Sequence, residues 1–228
     1  MTGIDTGSYA GWIAAMEDRR KFFRAHGAVS TDHSHADARV EPIADAEAER
    51  LYRRARNGTI TAEEGDTRRR NHHTPTFEAL GPDVGADIPT AVEFTDAIRP
   101  MLEAFGTTPG FRVILFTIDE TVYSRELAPL AGFYPSVYVG TPWWFIDAPD
   151  AIDRYRRAVT ETAGFTRTSG TIDDTRALLS IPARHDTNRR MDAGFLARLV
   201  ADHRLTLDEA RETAVDLVVT SPRKAFRL

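Results

Sequence analysis

The sequence contains no cysteine, which excludes disulfides, thiolate metal ligands and a cysteine nucleophile. It also lacks any apolar run approaching the ~18 residues a membrane-spanning helix needs. Positive charge is not in excess: 29 Lys and Arg face 34 Asp and Glu, for a net charge of −5 and a pI near 5.8. That balance argues against a general nucleic-acid binder or a membrane-surface protein. Lysine is almost missing, so the basic side chains are nearly all arginine. The stretch Met1-Thr2-Gly3-Ile4-Asp5 has neither a basic region nor an apolar core, and no signal peptide is expected from it. Repeats and low-complexity tracts are absent as well. What remains is ordinary globular composition, 42% apolar and 28% charged, which leads to the expectation of a soluble, cytoplasmic α/β protein. At 228 residues the chain is long enough for one well-buried domain. It is short of the ~250 residues typical of a complete eight-unit barrel.

Helix and strand signals alternate. Ser8 can cap a helix running to about His26, stopped by Gly27. Ala28-Val29-Ser30-Thr31 reads as a short strand that delivers Asp32-His33-Ser34-His35 at its carboxyl end. Residues 44–56 form a charged helix ended by Asn57-Gly58. Thr61-Ala62-Glu63-Glu64 is a capping box, Thr three before Glu, yet no helix body has room to follow before Arg68-Arg69-Arg70-Asn71. A second box, Thr90 to Glu93, opens a helix to about Phe105, which Pro100 can kink.

From there strand and helix take turns. Strands are expected at Phe111 to Thr117, Ser136 to Val139 and Thr168 to Ile172. Helices are expected at Ser124 to Leu130, about Pro149 to Ala163, Asp186 to His203, and after the capping box Thr206 to Glu209. With the strand at Ala28 this gives four core strands, half a barrel, in parallel βα units.

Ligands of parallel α/β folds bind at the carboxyl ends of strands. Asp32, His33, Asp119, Glu120, Trp143, Asp174 and Arg176 all fall in such positions. Asp174 and Arg176, two residues apart on extended backbone, can face one pocket, or can form a structural ion pair. His33 and His35 have the spacing of a strand-end metal pair that Asp174 could complete; the alternative is one packed and one solvated imidazole. Arg68-Arg69-Arg70 can hold an anionic group or be a solvated charge run. Arg184-His185-Asp186 reads as a helix start, with Asp186 as its cap.

Three stretches carry a resemblance. Phe116-Thr117-Ile118-Asp119-Glu120-Thr121-Val122-Tyr123-Ser124-Arg125 resembles the uronate (glucuronate) isomerases of the amidohydrolase superfamily. So do Ala131 through Phe145, and Asp174-Thr175-Arg176 with Arg184-His185-Asp186 beyond. The similarity reaches back through Gly27-Ala28-Val29-Ser30-Thr31-Asp32-His33 and forward to the C-terminus.

The resemblance implies a divalent-metal (β/α)₈ barrel, with zinc as the metal. Its reaction would be the interconversion of D-glucuronate with D-fructuronate, and of D-galacturonate with D-tagaturonate. Asp174 would be both metal ligand and acid/base, with Arg176 beside it for the enediolate. Arg70 would take the substrate carboxylate, while Trp143, Asp32 and His33 line the pocket.

Family members run to roughly twice this length, and their first strand carries the metal-binding His-x-His. His33-Ser34-His35 matches a later strand instead. The family also places a helix and a strand between the Thr61 box and Arg70-Asn71. The expectation is therefore a partial TIM-type (β/α)₈ barrel, with several strands missing and extra C-terminal helices. It would form one domain over 1–228, made of a helical region with one barrel strand (1–66) and the final βα units (67–228). The expected partner is a sugar acid, with neither nucleic acid nor membrane, and with a homo-oligomer or a complementing chain left open. A catalytically inactive remnant is the alternative, and a rebuilt metallohydrolase using His33, His35 and Asp174 is a third.

Overall fold

The computed structural model describes residues 2–32, 38–61, 74–80, 91–174 and 177–228. Two compact units divide the chain, Met1–Ile88 and Pro89–Leu228.

In the first unit, α1 (Tyr9–Ala25) starts where expected: the Ser8 hydroxyl accepts a hydrogen bond from the Gly11 amide at 3.1 Å. Helix α2 (Asp45–Arg56) is tied to the start of α1 by polar contacts. The Tyr9 amide donates to Glu49 Oε2 at 2.8 Å, and Tyr52 Oη donates to the Thr6 carbonyl at 2.7 Å. Tyr9, Trp12 and Tyr52 close a three-ring cluster. A third helix, α3 (Thr74–Leu80), completes the regular structure described here. The expected strand at Ala28–Thr31 does not form. Those residues are exposed and, among the described residues, no neighbouring strand offers a ladder to pair with. The Thr61 box beyond Thr61 itself, and the arginine run at 68–70, lie outside the described residues.

The second unit is a βα succession. Its helix α4 (Arg99–Phe105) begins well after the expected Thr90 start. Two carboxylates hold the preceding stretch in turns instead. Glu93 accepts from the Asp96 and Ala97 amides, and buried Glu126 accepts from the Phe94 and Thr95 amides at 2.6 and 2.9 Å. Pro100 sits in the first turn of α4, where a missing N–H costs nothing, so it starts the helix rather than bending it.

Strand β1 (Val113–Leu115) follows, then a π-helical turn (Tyr123–Leu127) that runs into α5 (Ala128–Phe133). Pro129 accounts for the wider turn, because it cannot donate to the carbonyl one turn back and its ring crowds that group. Strand β2 (Val137–Val139) pairs with β1 in parallel, with Val113 opposite Val137 and Leu115 opposite Val139. Helix α6 (Pro149–Ala163) matches its expected bounds.

The third strand-like stretch contributes one parallel bridge, Val139 to Thr168, rather than a ladder. Its backbone departs from strand geometry at Gly170, whose φ of +77° suits glycine. The described residues thus show two strands and one bridge where four strands were expected.

Three helices close the unit: α7 (Ser180–Ala201), α8 (Leu207–Val218) and α9 (Thr220–Phe226). Helix α7 starts six residues earlier than expected, so Asp186 is not a cap. It pairs one turn on with Arg190 at 2.7 Å. At α8 the expected capping box is complete: the Thr206 hydroxyl accepts from the Glu209 amide while the Glu209 carboxylate accepts from the Thr206 amide.

The core lies between the strands and the α5–α6 layer, with Val137, Tyr138, Val139, Ile152, Tyr155 and Val159 almost fully buried. Between α6 and α7, Arg156 meets Asp192 in a buried bidentate pair at 2.6 and 2.8 Å.

Candidate active site at the carboxyl ends of the strands

The ladder extends one step past β2 on both sides. The Gly140 amide donates to the Leu115 carbonyl at 2.8 Å, and the Ser169 amide donates to the Val139 carbonyl at 3.0 Å. Three parallel segments therefore finish side by side, and Thr141 Oγ1 donates across to the Gly170 carbonyl at 2.9 Å. Gly140 is required at this point, since a Cβ there would stand 2.1 Å from the Phe116 ring. Phe116 in turn meets Trp143 edge to face, with centroids 5.4 Å apart. That contact fixes Trp143 as a half-buried ring at the end of β2.

Two non-glycine residues at these ends hold positive φ: Trp144 at +58° and Asp174 at +41°. Such backbone is disfavoured for side chains with a Cβ, and departures of this kind concentrate at functional sites. Asp174 is exposed, whereas its neighbour Asp173 is buried to about 10% side-chain exposure.

Asp173 is held from α7. Its Oδ2 lies 2.6 Å from His185 Nε2, and Oδ1 lies 3.9 Å from Arg184 Nε without a hydrogen-bond partner of its own. Arg184 makes three further contacts. Its Nε donates to Asp147 Oδ2 at 2.5 Å, Nη1 to the Asp173 carbonyl at 2.7 Å, and Nη2 to the Trp144 carbonyl at 3.3 Å. A cleft of about 440 Å³ opens beside these groups, lined by Trp144, Asp147, Pro149, Ala183, Arg184 and Thr187.

At the end of β1 the acids are committed locally. Asp119 accepts from the Thr121 amide and hydroxyl and from the Val92 amide. Burial would raise its pKa, but these donors outweigh it and the carboxyl is held below its ordinary value. Glu120 forms a forked pair with Arg154 of α6, with contacts of 3.0 to 3.3 Å.

Of the residues singled out in the sequence, the structure therefore places Trp143 and Asp174 on adjacent segment ends of the second unit. Asp32 is exposed in the first unit. His33, His35, Arg70 and Arg176 lie outside the described residues. Sequence reasoning passed over Asp173, and it assigned Arg184 and His185 to a helix start. The available signal was the doubled acid Asp173-Asp174, followed by a basic pair at the amino end of the next helix.

A metal would need several such donors to converge. Among the described residues no group of three or more His, Asp or Glu side chains does so. On their own the described residues do not fit a metal centre, and Asp174 stands as a single candidate ligand. No helix among them is long and apolar enough to cross a membrane.

The sequence model of a family described as glucuronate isomerase matches residues 66–223. A uronate isomerase of Rhizorhabdus wittichii is 48% identical, and the match covers all of this chain but 54% of that protein. One from Cutibacterium acnes is 47% identical, with the same coverage. The crystal structure of glucuronate isomerase from Caulobacter crescentus superposes with a TM-score of 0.92 at 43% identity, over 99% of this chain and 52% of that one. A uronate isomerase from Thermotoga maritima gives a TM-score of 0.89 at 25% identity, over 99% and 55%.

The chain thus spans about half the length of the curated relatives it matches. The matched span of 253 residues also exceeds the 228 of this chain, so the relatives carry residues inside the match that this chain lacks. The shared fold is α/β, part of a TIM-like barrel, and it belongs to a metal-dependent class of enzymes in general.

Proposed function

This chain belongs to the glucuronate isomerase family, and from that premise we propose that it carries the later half of a uronate isomerase site. The reaction is aldose–ketose isomerisation of D-glucuronate to D-fructuronate, and of D-galacturonate to D-tagaturonate. The observation that carries the reading is the family match over residues 66–223, which includes every strand end described above.

The chemistry asks for three things. A base must move a proton between C1 and C2, a cation must steady the oxyanion that develops, and a cation must hold the fixed carboxylate of the sugar acid. In this reading Asp174, exposed at its segment end, takes and returns the proton. Arg176, two residues on, steadies the enediolate. Arg70 is assigned to the substrate carboxylate, and Trp143, Asp32 and His33 are assigned to substrate binding. Asp173 acts on none of the reacting atoms. Held by His185 and Arg184, it positions the backbone from which Asp174 projects.

The metal of this reading is a divalent cation, zinc first, with Asp174 as one ligand. It would supply Lewis-acid stabilisation of the sugar oxygens. Since the described residues do not assemble a set for it, no step is routed through it. The protein would work on a small sugar acid in the cytoplasm, as a homo-oligomer or with a complementing chain.

A second reading has its own support in coverage, because only about half of each relative's length is matched. In it, the chain is a catalytically inactive remnant, or becomes active only with the complementing half. One assay separates the two. Purified protein supplied with zinc is mixed with D-glucuronate and D-fructuronate formation is followed. Turnover that Asp174→Asn abolishes supports the isomerase reading; no turnover by the native chain alone supports the second.

A further inference from the structure

At the opposite end of the strands lies a cleft of about 380 Å³ in the second unit, within the size range of small-ligand sites. Arg112 and Ser136 stand just before β1 and β2, one register step below Val113 and Val137. Arg167 stands just before the bridging residue Thr168. These three line the cleft together with Tyr138 and Lys224, and no acidic side chain lines it.

Among the described residues, no carboxylate is paired with Arg112 or Arg167, and none lines the cleft. Several described arginines elsewhere in the unit are paired with carboxylates, among them Arg99, Arg154, Arg156, Arg157, Arg190 and Arg204. Arg112 and Arg167 donate instead to backbone carbonyls, those of Phe111 and Pro135. Both guanidinium carbons lie near the Tyr138 ring, at 5.9 and 5.8 Å, which holds the two cations on one aromatic. A further arginine, Arg227, donates to the rim carbonyl of Gly110 at 3.1 Å.

Three polar atoms in the wall are buried without a hydrogen-bond partner: Arg112 Nε, Ser136 Oγ and Tyr138 Oη. Tyr138 and Ser136 are at most 1% exposed. Buried polar groups in native proteins are almost always satisfied, so each one left open calls for a missing partner. A water could satisfy the hydroxyls but would leave the clustered cations unneutralised. An oxyanion answers both demands, since it accepts from N–H and O–H donors and carries the opposite charge.

We propose that this cleft binds a phosphate group, either as free inorganic phosphate or as the terminal group of a phosphorylated sugar. Tetrahedral oxygens would accept from the Arg112 and Arg167 guanidiniums and from the two hydroxyls, with Lys224 closing the rim. The site shares no residue with the cleft at the carboxyl ends of the strands.

The test is calorimetric titration of the chain at low ionic strength, with inorganic phosphate in one arm and glucose 6-phosphate in the other. Saturable binding is expected in both, and the tighter arm identifies the source. Arg167→Gln and Lys224→Met, both at accessible positions, should each weaken binding about fivefold or more, with circular dichroism unchanged. Arg112→Gln combined with Arg167→Gln should remove it, while Arg157→Gln on the outer face of α6 should leave it intact. Failure of native protein to bind either ligand overturns the proposal, as does binding that Arg167→Gln and Lys224→Met leave unchanged. Competition by D-glucuronate would place the phosphate at the other end of the strands, and overturns it too. The readout is binding, so it stands apart from whether the chain turns over a uronate.

Discussion

His185 and Asp173 meet at 2.6 Å where the third parallel segment hands over to α7. Asp173 sits one residue before the exposed Asp174, so the pair ties the helix to that segment end.

Removing that anchor should loosen the segment. Asp173→Ala leaves the His185 ring without its carboxylate partner, while Arg184 keeps its bonds to Asp147 and to the Asp173 and Trp144 carbonyls, and the change is expected to cost about 1–3 kcal/mol. Urea denaturation would read this as a lower midpoint with an unchanged slope.

The reverse is expected at Asp174. Its positive φ is unfavourable for any residue with a Cβ, so Asp174→Gly should hold or raise stability, by up to about 1 kcal/mol. Under the isomerase reading the same change eliminates turnover. A thermal midpoint and an assay on one variant would separate strain from chemistry.

Glu126 predicts an acid-sensitive element. Burial works to raise its pKa, but amide donors from Phe94 and Thr95, with Arg125, prevail and hold it lowered. A lowered folded pKa contributes stability that is fully present above the unfolded glutamate value. It is lost as pH falls through the folded one. Stability should therefore decline below about pH 4.3, and Glu126→Gln should flatten that part of the profile while lowering stability at pH 7.

The Arg156–Asp192 pair should show the asymmetry of buried charges. Arg156→Met strands the Asp192 carboxylate between α6 and α7 and should cost about 3–5 kcal/mol. Adding Asp192→Leu should recover most of it. Comparing the single and double variants by urea midpoint checks this directly.

Gly140→Ala should disturb the site through packing. The new methyl would fall on the Phe116 ring, an overpacking worth about 1–3 kcal/mol, and it would push Trp143 off its edge-to-face contact. Phe116→Leu in the same chain should relieve the loss. Trp143 fluorescence would follow the ring.

Legibility in the sequence depended on whether a signal was local. Ser8, the Thr206–Glu209 box and the Pro149–Gly164 helix could be read because their hydrogen bonds close within a few residues. The Thr90 box misled because Glu93 and Glu126 spend their carboxylates on turn amides, and Glu126 is more than thirty residues away. The Ala28 strand misled because a strand needs a neighbour, which no local pattern supplies. At the site, Trp143 and Asp174 were visible as strand-end residues. Asp173, Arg184 and His185 were not, since their meaning arises only when α7 starts early enough to turn Arg184 back onto Asp147 and Trp144.

Arg184 gathers partners from the loop after β2 and from the segment before α7, up to 40 residues away in sequence. Asp147, Trp144 and Asp173 are consequently pinned to α7 in the folded chain before any ligand arrives. Little conformational entropy is left to lose on binding. The amides around Trp144 and Asp173 should therefore exchange with solvent as slowly as the helices that flank them, and rigidity at this end of the strands is a property of folding rather than of occupancy.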